Sequence, residues 1–508
     1  MRTLTGIHAV AFRLSLVAVA AASTAACRSS ARSAGATAEH APIDFGTAGA
    51  PPASLPVATT ALDRKGDLVT APAASAAPAP RAALGADEAA RAPTSEGDGR
   101  GLGRPAAKSA SLDSLTGGAA PTARMAFERA LSGPSIAAGE WDDNANYREF
   151  MRYLANEEAL PLHRVDLTDR RFLVVRDVAG KPVPRCRVTV VDERQHQTTL
   201  TTTASGRAIL FPHAEGLAGR PGGGLTASAS CMGTGAVASR SFALDDQDGA
   251  VDLRIPVGRE LAPSRSVDVA FILDTTGSMG EEIDAVRSTI GKVARELGRQ
   301  NYQVRLGLVE YKDRGDVFVT KVHPFSSSSD AFLADVAKVT ASGGGDLPES
   351  VNEGLHVGLS GLEWSRDSVG RFAFLIGDAP PHLDYANDAD YAVEMKRAAH
   401  EGIQIFTVAA SGMDAVGQAV FRQVASYTGA TNLFVLRGGA GPQSTGAGDP
   451  KSSCGGTQTS YSSGNLDALI LGKIRSELRG LDGDAMRIAG LYQDEDAKPC
   501  SQRVALAD

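Results

Sequence analysis

Aromatic residues are scarce, 5% of 508, and there is no excess of basic charge: 51 Lys and Arg face 59 Asp and Glu, a net charge of −8. That balance excludes the electrostatic footprint of a nucleic-acid-binding protein, so nucleic acid is not an expected partner. No two cysteines have CxxC spacing and no HExxH occurs, which argues against a structural zinc site. Beyond the N-terminal 27 residues no apolar run is long enough to span a bilayer. Few aromatics together with 55 Gly and 25 Pro imply that much of the chain is not packed. Hydrophobic residues at 43% still supply a core. The length exceeds the roughly 250–300 residues at which single cores stop growing, so two or more folded units are expected.

At the N-terminus Arg2 and Arg13 precede an apolar run, Leu14 to Ala22, and then Ser23-Thr24-Ala25-Ala26 before Cys27. This order of charged, apolar and small residues is that of a signal peptide. The run is shorter than the about 20 residues of an uncleaved anchor. A cysteine directly after such a run resembles the bacterial lipobox, which implies cleavage before Cys27, diacylation of its thiol and a membrane-anchored lipoprotein, periplasmic or on the cell surface. Thr24 departs from the Leu usual there, and ordinary cleavage after Ala26 would leave a free N-terminal thiol. With Cys27 lipidated, Cys186, Cys231, Cys454 and Cys500 remain as an even set for an oxidising compartment. Cys186 with Cys231 and Cys454 with Cys500 is the favoured pairing, because each pair falls inside one expected unit; buried free thiols are the other reading.

Residues 28–122 are dominated by Ala, Pro, Ser and Gly, with Phe45 as the one aromatic, and cannot bury enough apolar surface to fold. They read as a disordered tether. Residues 123–160 read as a helical connection, with Phe127, Leu131, Tyr147, Phe150, Met151 and Leu154 at helical intervals. Within it Ala138 to Asn144 is expected to be a helix-capping link without chemistry. Across 161–260 the pattern turns to short strands at Phe172–Val175, Arg187–Val191, Thr198–Thr203, Ala208–Phe211 and Val251–Leu253, parted by turns such as Ala179-Gly180-Lys181-Pro182 and Ser205-Gly206. This predicts a small β-sandwich. The stretches Gly180-Lys181-Pro182-Val183-Pro184, Val188-Thr189-Val190 and Thr203 to Ala208 resemble a carboxypeptidase regulatory-like sandwich.

Over 265–482 strands and helices alternate, which predicts an α/β fold with a doubly wound, mostly parallel, Rossmann-like sheet. Strands are expected at Val267–Leu273, Val304–Glu310, Val317–Val322, Phe372–Ile376, Ile403–Ala409 and Asn432–Leu436. Helices are expected at about 280–298, 330–339, 348–359, 389–400, 415–427 and 466–481. Residues 483–508 form a tail. Ligands of such sheets sit beyond the carboxyl ends of the strands. There Asp274-Thr275-Thr276-Gly277-Ser278-Met279 places a carboxylate and two hydroxyls before a helix, a set of compact oxygens suited to a hard dication.

A strand ending in Asp-Xaa-Thr-Xaa-Ser resembles the first part of the metal-ion-dependent adhesion site of von Willebrand factor type A domains. The resemblance implies metal ligation by Asp274, Thr276 and Ser278, and by Asp378 in Ile376-Gly377-Asp378. At the second element of that site Gly343-Gly344-Gly345-Asp346-Leu347-Pro348-Glu349 resembles the branch that carries Asp. Asp346 with Glu349 three residues on, and Pro348 in the first turn, also reads as a helix capping box. The implied cofactor is Mg²⁺, Mn²⁺ or Ca²⁺. The implied partner is a protein that offers an acidic side chain to the metal, with no small-molecule substrate and no turnover. Two other readings stay open: a metal-free scaffold, and a haloacid dehalogenase-like phosphotransferase with Asp274 as nucleophile. His382 could line the rim.

Overall fold

The computed structural model describes residues 136–217, 223–233, 235–244, 249–261, 265–300, 302–410, 412–435, 462–489 and 491. All of them fall in one compact unit spanning 111–508. The expected signal peptide with Cys27, the tether, and Cys454 and Cys500 lie outside the described residues.

Among the described residues the first elements are β1 (Ala137–Trp141) and α1 (Tyr147–Asn156). Seven strands follow: β2 (Arg171–Arg176), β3 (Cys186–Val191), β4 (Gln197–Thr201), β5 (Arg207–Leu210), β6 (Gly224–Cys231), β7 (Val237–Ala243) and β8 (Gly249–Arg254). They form two facing sheets, ordered β5-β2-β8 and β4-β3-β6-β7. Inward residues such as Leu173, Val175, Val188, Val190, Leu225 and Ala227 alternate with outward ones and fill the space between. Cys186 and Cys231 are directly opposed in the β3–β6 register and joined by a disulfide. β6 and β7 have no counterpart among the strands expected from sequence. They are rich in Ser and Ala, and their outer faces are tied by hydroxyl pairs, Thr226 with Ser241 and Ser228 with Ser239 at 3.0 Å, so the burial alternation of β6 rests largely on small residues that leave a weak hydrophobic signal.

From residue 266 the chain runs β9 (Ser266–Asp274), a 3₁₀ turn (Gly277–Glu281), α2 (Ile283–Leu297), β10 (Gln303–Tyr311), β11 (Thr320–Ser326), α3 (Ser329–Val336), α4 (Val351–Ser360) and β12 (Gly370–Gly377). It continues through α5 (Tyr391–Glu401), β13 (Gln404–Ala409), α6 (Ala415–Tyr427), β14 (Asn432–Val435), β15 (Ser462–Asn465) and α7 (Leu466–Gly480). The sheet order is β11-β10-β9-β12-β13-β14-β1-β15. The five strands from β10 to β14 are parallel, and β11, β1 and β15 run antiparallel to their neighbours. Both faces are covered. In β9, Val267, Val269, Phe271 and Leu273 pack with α2, α3 and α7, while Ile272 between them packs with α4, α5 and α6. A strand with period-two apolar residues on both sides needs a helical layer on each.

Two expectations change. The segment expected as a helix-capping link is strand β1, which pairs with β14 and β15. Side-chain partners from distant sequence decide this. Trp141 packs on Phe434 with ring centroids 4.5 Å apart, buried Glu140 pairs with Lys473, and Asp143 holds the Arg422 guanidinium through bonds of 2.6 and 2.9 Å. The strand expected at Val317–Val322 begins instead at Thr320, with Val317 96% exposed, because the turn at Asp313–Asp316 precedes pairing of Thr320 with Tyr311.

Candidate functional site

The carboxyl ends of β9, β10 and β12 meet at one sheet edge, and three loops converge there. Thr275 donates its amide to Tyr311 O, Ser342 donates its amide to Thr275 O, and Gly277 donates its amide to Gly343 O, which stitches the loop after β9 to the glycine-rich loop. Lys312, buried just past β10, donates to Thr275 O and Ser342 O and locks the same seam. Glycine is required at Gly343: its φ is +81°, and a methyl there would stand 2.1 Å from Asp316 Oδ1. It is also required at Gly377, where a methyl would meet the Tyr311 hydroxyl at 2.3 Å and Asp274 Oδ2 at 3.3 Å.

Within this frame Asp274, Thr276, Ser278 and Asp378 come together. Asp274 Oδ1 accepts from the Thr276 amide at 2.8 Å and the Thr276 hydroxyl at 2.7 Å. The Thr276 and Ser278 hydroxyls are 3.1 Å apart, and Ser278 Oγ donates to Asp378 Oδ1 at 3.0 Å. Asp274 and Thr276 are fully buried and Asp378 nearly so, whereas Ser278 is exposed and opens the cluster to solvent. Burial, reinforced by the Asp378 charge, pushes the Asp274 carboxyl up to about 7. Burial likewise raises Asp378.

Among the described residues no hydrogen bond joins Asp346 to this cluster. Its carboxylate is 65% exposed and lies 3.9 Å from His382 Nε2. The capping box does not form either, since α4 starts at Val351 with Ser350 as its N-cap. The reason is tertiary: Glu349 is held in a parallel bridge with Pro381, donating its amide to Pro380 O at 2.9 Å and accepting from the His382 amide at 3.1 Å.

Glu349, read from sequence only as a cap partner, is the carboxylate of that loop that reaches toward Asp274. It is 2% exposed, with Oε1 beside Gly344 close to Thr276. Burial, then the Asp274 and Asp313 charges, raise its carboxyl to about 8. A second acid three residues beyond Asp346 in one glycine-rich loop was the available signal. Lys312 and Asp313 were also missed, although the strand-end rule applies to β10 as to β9.

The donor set fits a hard divalent cation. It offers carboxylate and hydroxyl oxygens, and both Asp274 Oδ2 and Glu349 Oε2 are buried without a hydrogen-bond partner among the described residues. Buried acceptors of this kind are costly unless something positive meets them.

Residues 268–432 match the family model of the von Willebrand factor A domain. Among curated proteins, the alpha-protein kinase vwkA of Dictyostelium discoideum is 33% identical over 137 residues, covering 26% of this chain and 21% of that protein. Human von Willebrand factor A domain-containing protein 7 is 36% identical over 103 residues, 20% of this chain and 11% of that protein. The chain thus spans about a fifth or less of the length of these relatives. Among solved structures, proximal thread matrix protein 1 from the mussel byssus, with a zinc occupied MIDAS motif, is 15% identical with a TM-score of 0.27, covering 32% of this chain and 40% of that one. The chain carries a von Willebrand factor A domain over residues 268–432.

Proposed function

We propose that this domain is a divalent-cation-dependent protein-binding module, whose cation is held by Asp274, Thr276, Ser278 and Asp378 with the Glu349 carboxylate beside them. The observation that carries the reading is Asp274 Oδ2, fully buried and without a hydrogen-bond partner among the described residues, in an all-oxygen cluster whose exposed member is Ser278. A cation held there, Mg²⁺, Mn²⁺ or Ca²⁺, would offer a coordination position to an acidic side chain of a partner protein. The chain's own part is preorganisation. The Thr276 amide and hydroxyl orient Asp274, Ser278 orients Asp378, and Lys312 ties the loop after β9 to the glycine-rich loop that leads to Glu349. We read the site as binding without turnover, because the carboxylate a phosphotransferase would use as nucleophile is fully buried.

The proposal includes export and lipid anchoring through Cys27. The Cys186–Cys231 disulfide supports it, since such bonds persist in oxidising compartments. Mass spectrometry of the mature N-terminus tests the lipid. For the cation, Mn²⁺ titration of the metal-free protein followed by electron paramagnetic resonance should show one site lost in Asp274→Ala. An Asp274→Ala protein that binds Mn²⁺ as tightly as wild type refutes the assignment.

A further inference from the structure

We propose that Asp313, Asp346 and His382 form a second divalent-metal site, selective for transition-series ions such as Zn²⁺ that accept an imidazole nitrogen. One ligand atom from each of these residues lies within 4.8 Å of the other two. His382 Nε2 stands 3.6 Å from Asp313 Oδ2 and 3.9 Å from Asp346 Oδ2. Around a four-coordinate ion at about 2.1 Å from each ligand, neighbouring ligand atoms sit about 3.4 Å apart, so modest contraction closes the site.

The observation that points to a ligand is His382 itself. It is 4% exposed, and its Nε2 is buried with no hydrogen-bond partner among the described residues. Its other ring nitrogen, Nδ1, is 2.8 Å from Asp384 Oδ1. With the ring proton donated there, Nε2 presents a lone pair toward two carboxylate oxygens, an arrangement of three acceptors that a cation resolves. A carboxylate on the far nitrogen of a metal-binding histidine is the usual device for setting tautomer and ring orientation.

Asp313 is positioned in the same way. Its Oδ1 accepts from Ser350 Oγ at 2.9 Å and its Oδ2 from the Tyr385 hydroxyl at 2.8 Å, and Tyr385 stacks on the His382 ring at 3.7 Å. The two inner ligands are thus buried and oriented, while exposed Asp346 forms the outer wall through which an ion enters. The nitrogen in the donor set separates this site from the Asp274 cluster. Imidazole suits Zn²⁺, Co²⁺ or Ni²⁺, and purely oxygen sites suit Mg²⁺, Ca²⁺ or Mn²⁺.

The test uses the full chain stripped with EDTA and held in excess Mg²⁺, titrated with Zn²⁺ by calorimetry and with Co²⁺ by visible absorption. Wild type should bind one equivalent of Zn²⁺, and Co²⁺ should develop visible bands that Zn²⁺ displaces. His382→Gln and Asp346→Ala should each weaken Zn²⁺ binding at least about 10-fold, and Asp384→Asn about 10- to 100-fold as an orienting partner. Asp274→Ala should leave this binding in place, which separates failure of this site from failure of the proposed adhesion site. Because His382 is buried, the exposed Asp346→Ala variant keeps the test decisive if His382→Gln does not fold. The proposal is overturned if wild type takes up no Zn²⁺ in Mg²⁺, if Asp346→Ala binds Zn²⁺ as wild type does, or if Asp274→Ala abolishes the binding.

Discussion

Replacing Asp274 with Asn in the metal-free protein should make it more stable at neutral pH and flatten its pH dependence. Asp274 is fully buried, and its carboxyl stands at about 7 against an ordinary 3.8, first through burial and then through the charge of Asp378. A difference of that size is worth roughly 4 kcal/mol at about 1.4 kcal/mol per pH unit. The sign follows from proton binding. Below pH 3.8 the group is protonated in both the folded and unfolded chain and costs nothing. Between 3.8 and about 7 only the unfolded chain releases the proton, so folded stability falls as pH rises, and above about 7 the loss is constant. Between pH 5 and pH 7.5 metal-free wild type should therefore lose about 3 kcal/mol more than Asp274→Asn. Asparagine keeps the acceptor for the Thr276 amide and hydroxyl, so the variant retains that turn. Urea unfolding in EDTA at the two pH values measures the effect, and Mg²⁺ at 100 times its dissociation constant should restore about 2.7 kcal/mol to wild type alone. If Asp274→Asn has the same pH slope as wild type in EDTA, or is less stable at pH 7.5, burial of an unmet carboxylate is not what the site contains.

Gly377→Ala should cost about 1–3 kcal/mol and weaken Mn²⁺ binding together, since its methyl would press on the buried Tyr311 hydroxyl and on Asp274; denaturation and Mn²⁺ titration of one sample read both. Cys186→Ser with Cys231→Ser should cost about 4 kcal/mol, because the disulfide closes a loop with a sequence separation of 45, and a melting temperature unchanged under non-reducing conditions would contradict this. Arg422→Ala should destabilise by about 3–5 kcal/mol by leaving Asp143 charged and buried, and the double variant with Asp143→Ala should recover part of that in urea titrations.

The parts of this protein written in its sequence are those whose causes are local. Val269–Leu273 declares a buried strand by its unbroken apolar run, and Asp274-Thr275-Thr276-Gly277-Ser278 brings a carboxylate and two hydroxyls together within five consecutive residues, so one strand–loop junction suffices to read them as a candidate site. Helix α6 begins and ends where its spacing predicts, at Ala415 and Tyr427. What only the tertiary structure decided depends on partners far along the chain. Ala137–Trp141 becomes a strand because β14 and β15 offer backbone groups to pair with, Phe434 and Lys473 receive its Trp141 and Glu140 side chains, and Arg422 anchors Asp143 just beyond it. β6 and β7 form on Ser and Thr pairing that leaves little hydrophobic period. Glu349 turns its carboxyl toward Asp274 because its backbone is caught by Pro380 and His382. Asp346 and His382 stood out in the sequence one by one, but with Asp313 they come from three separate loops, and no local pattern could announce the grouping; the parallel sheet brings its strand ends to one edge, and it is there that they meet.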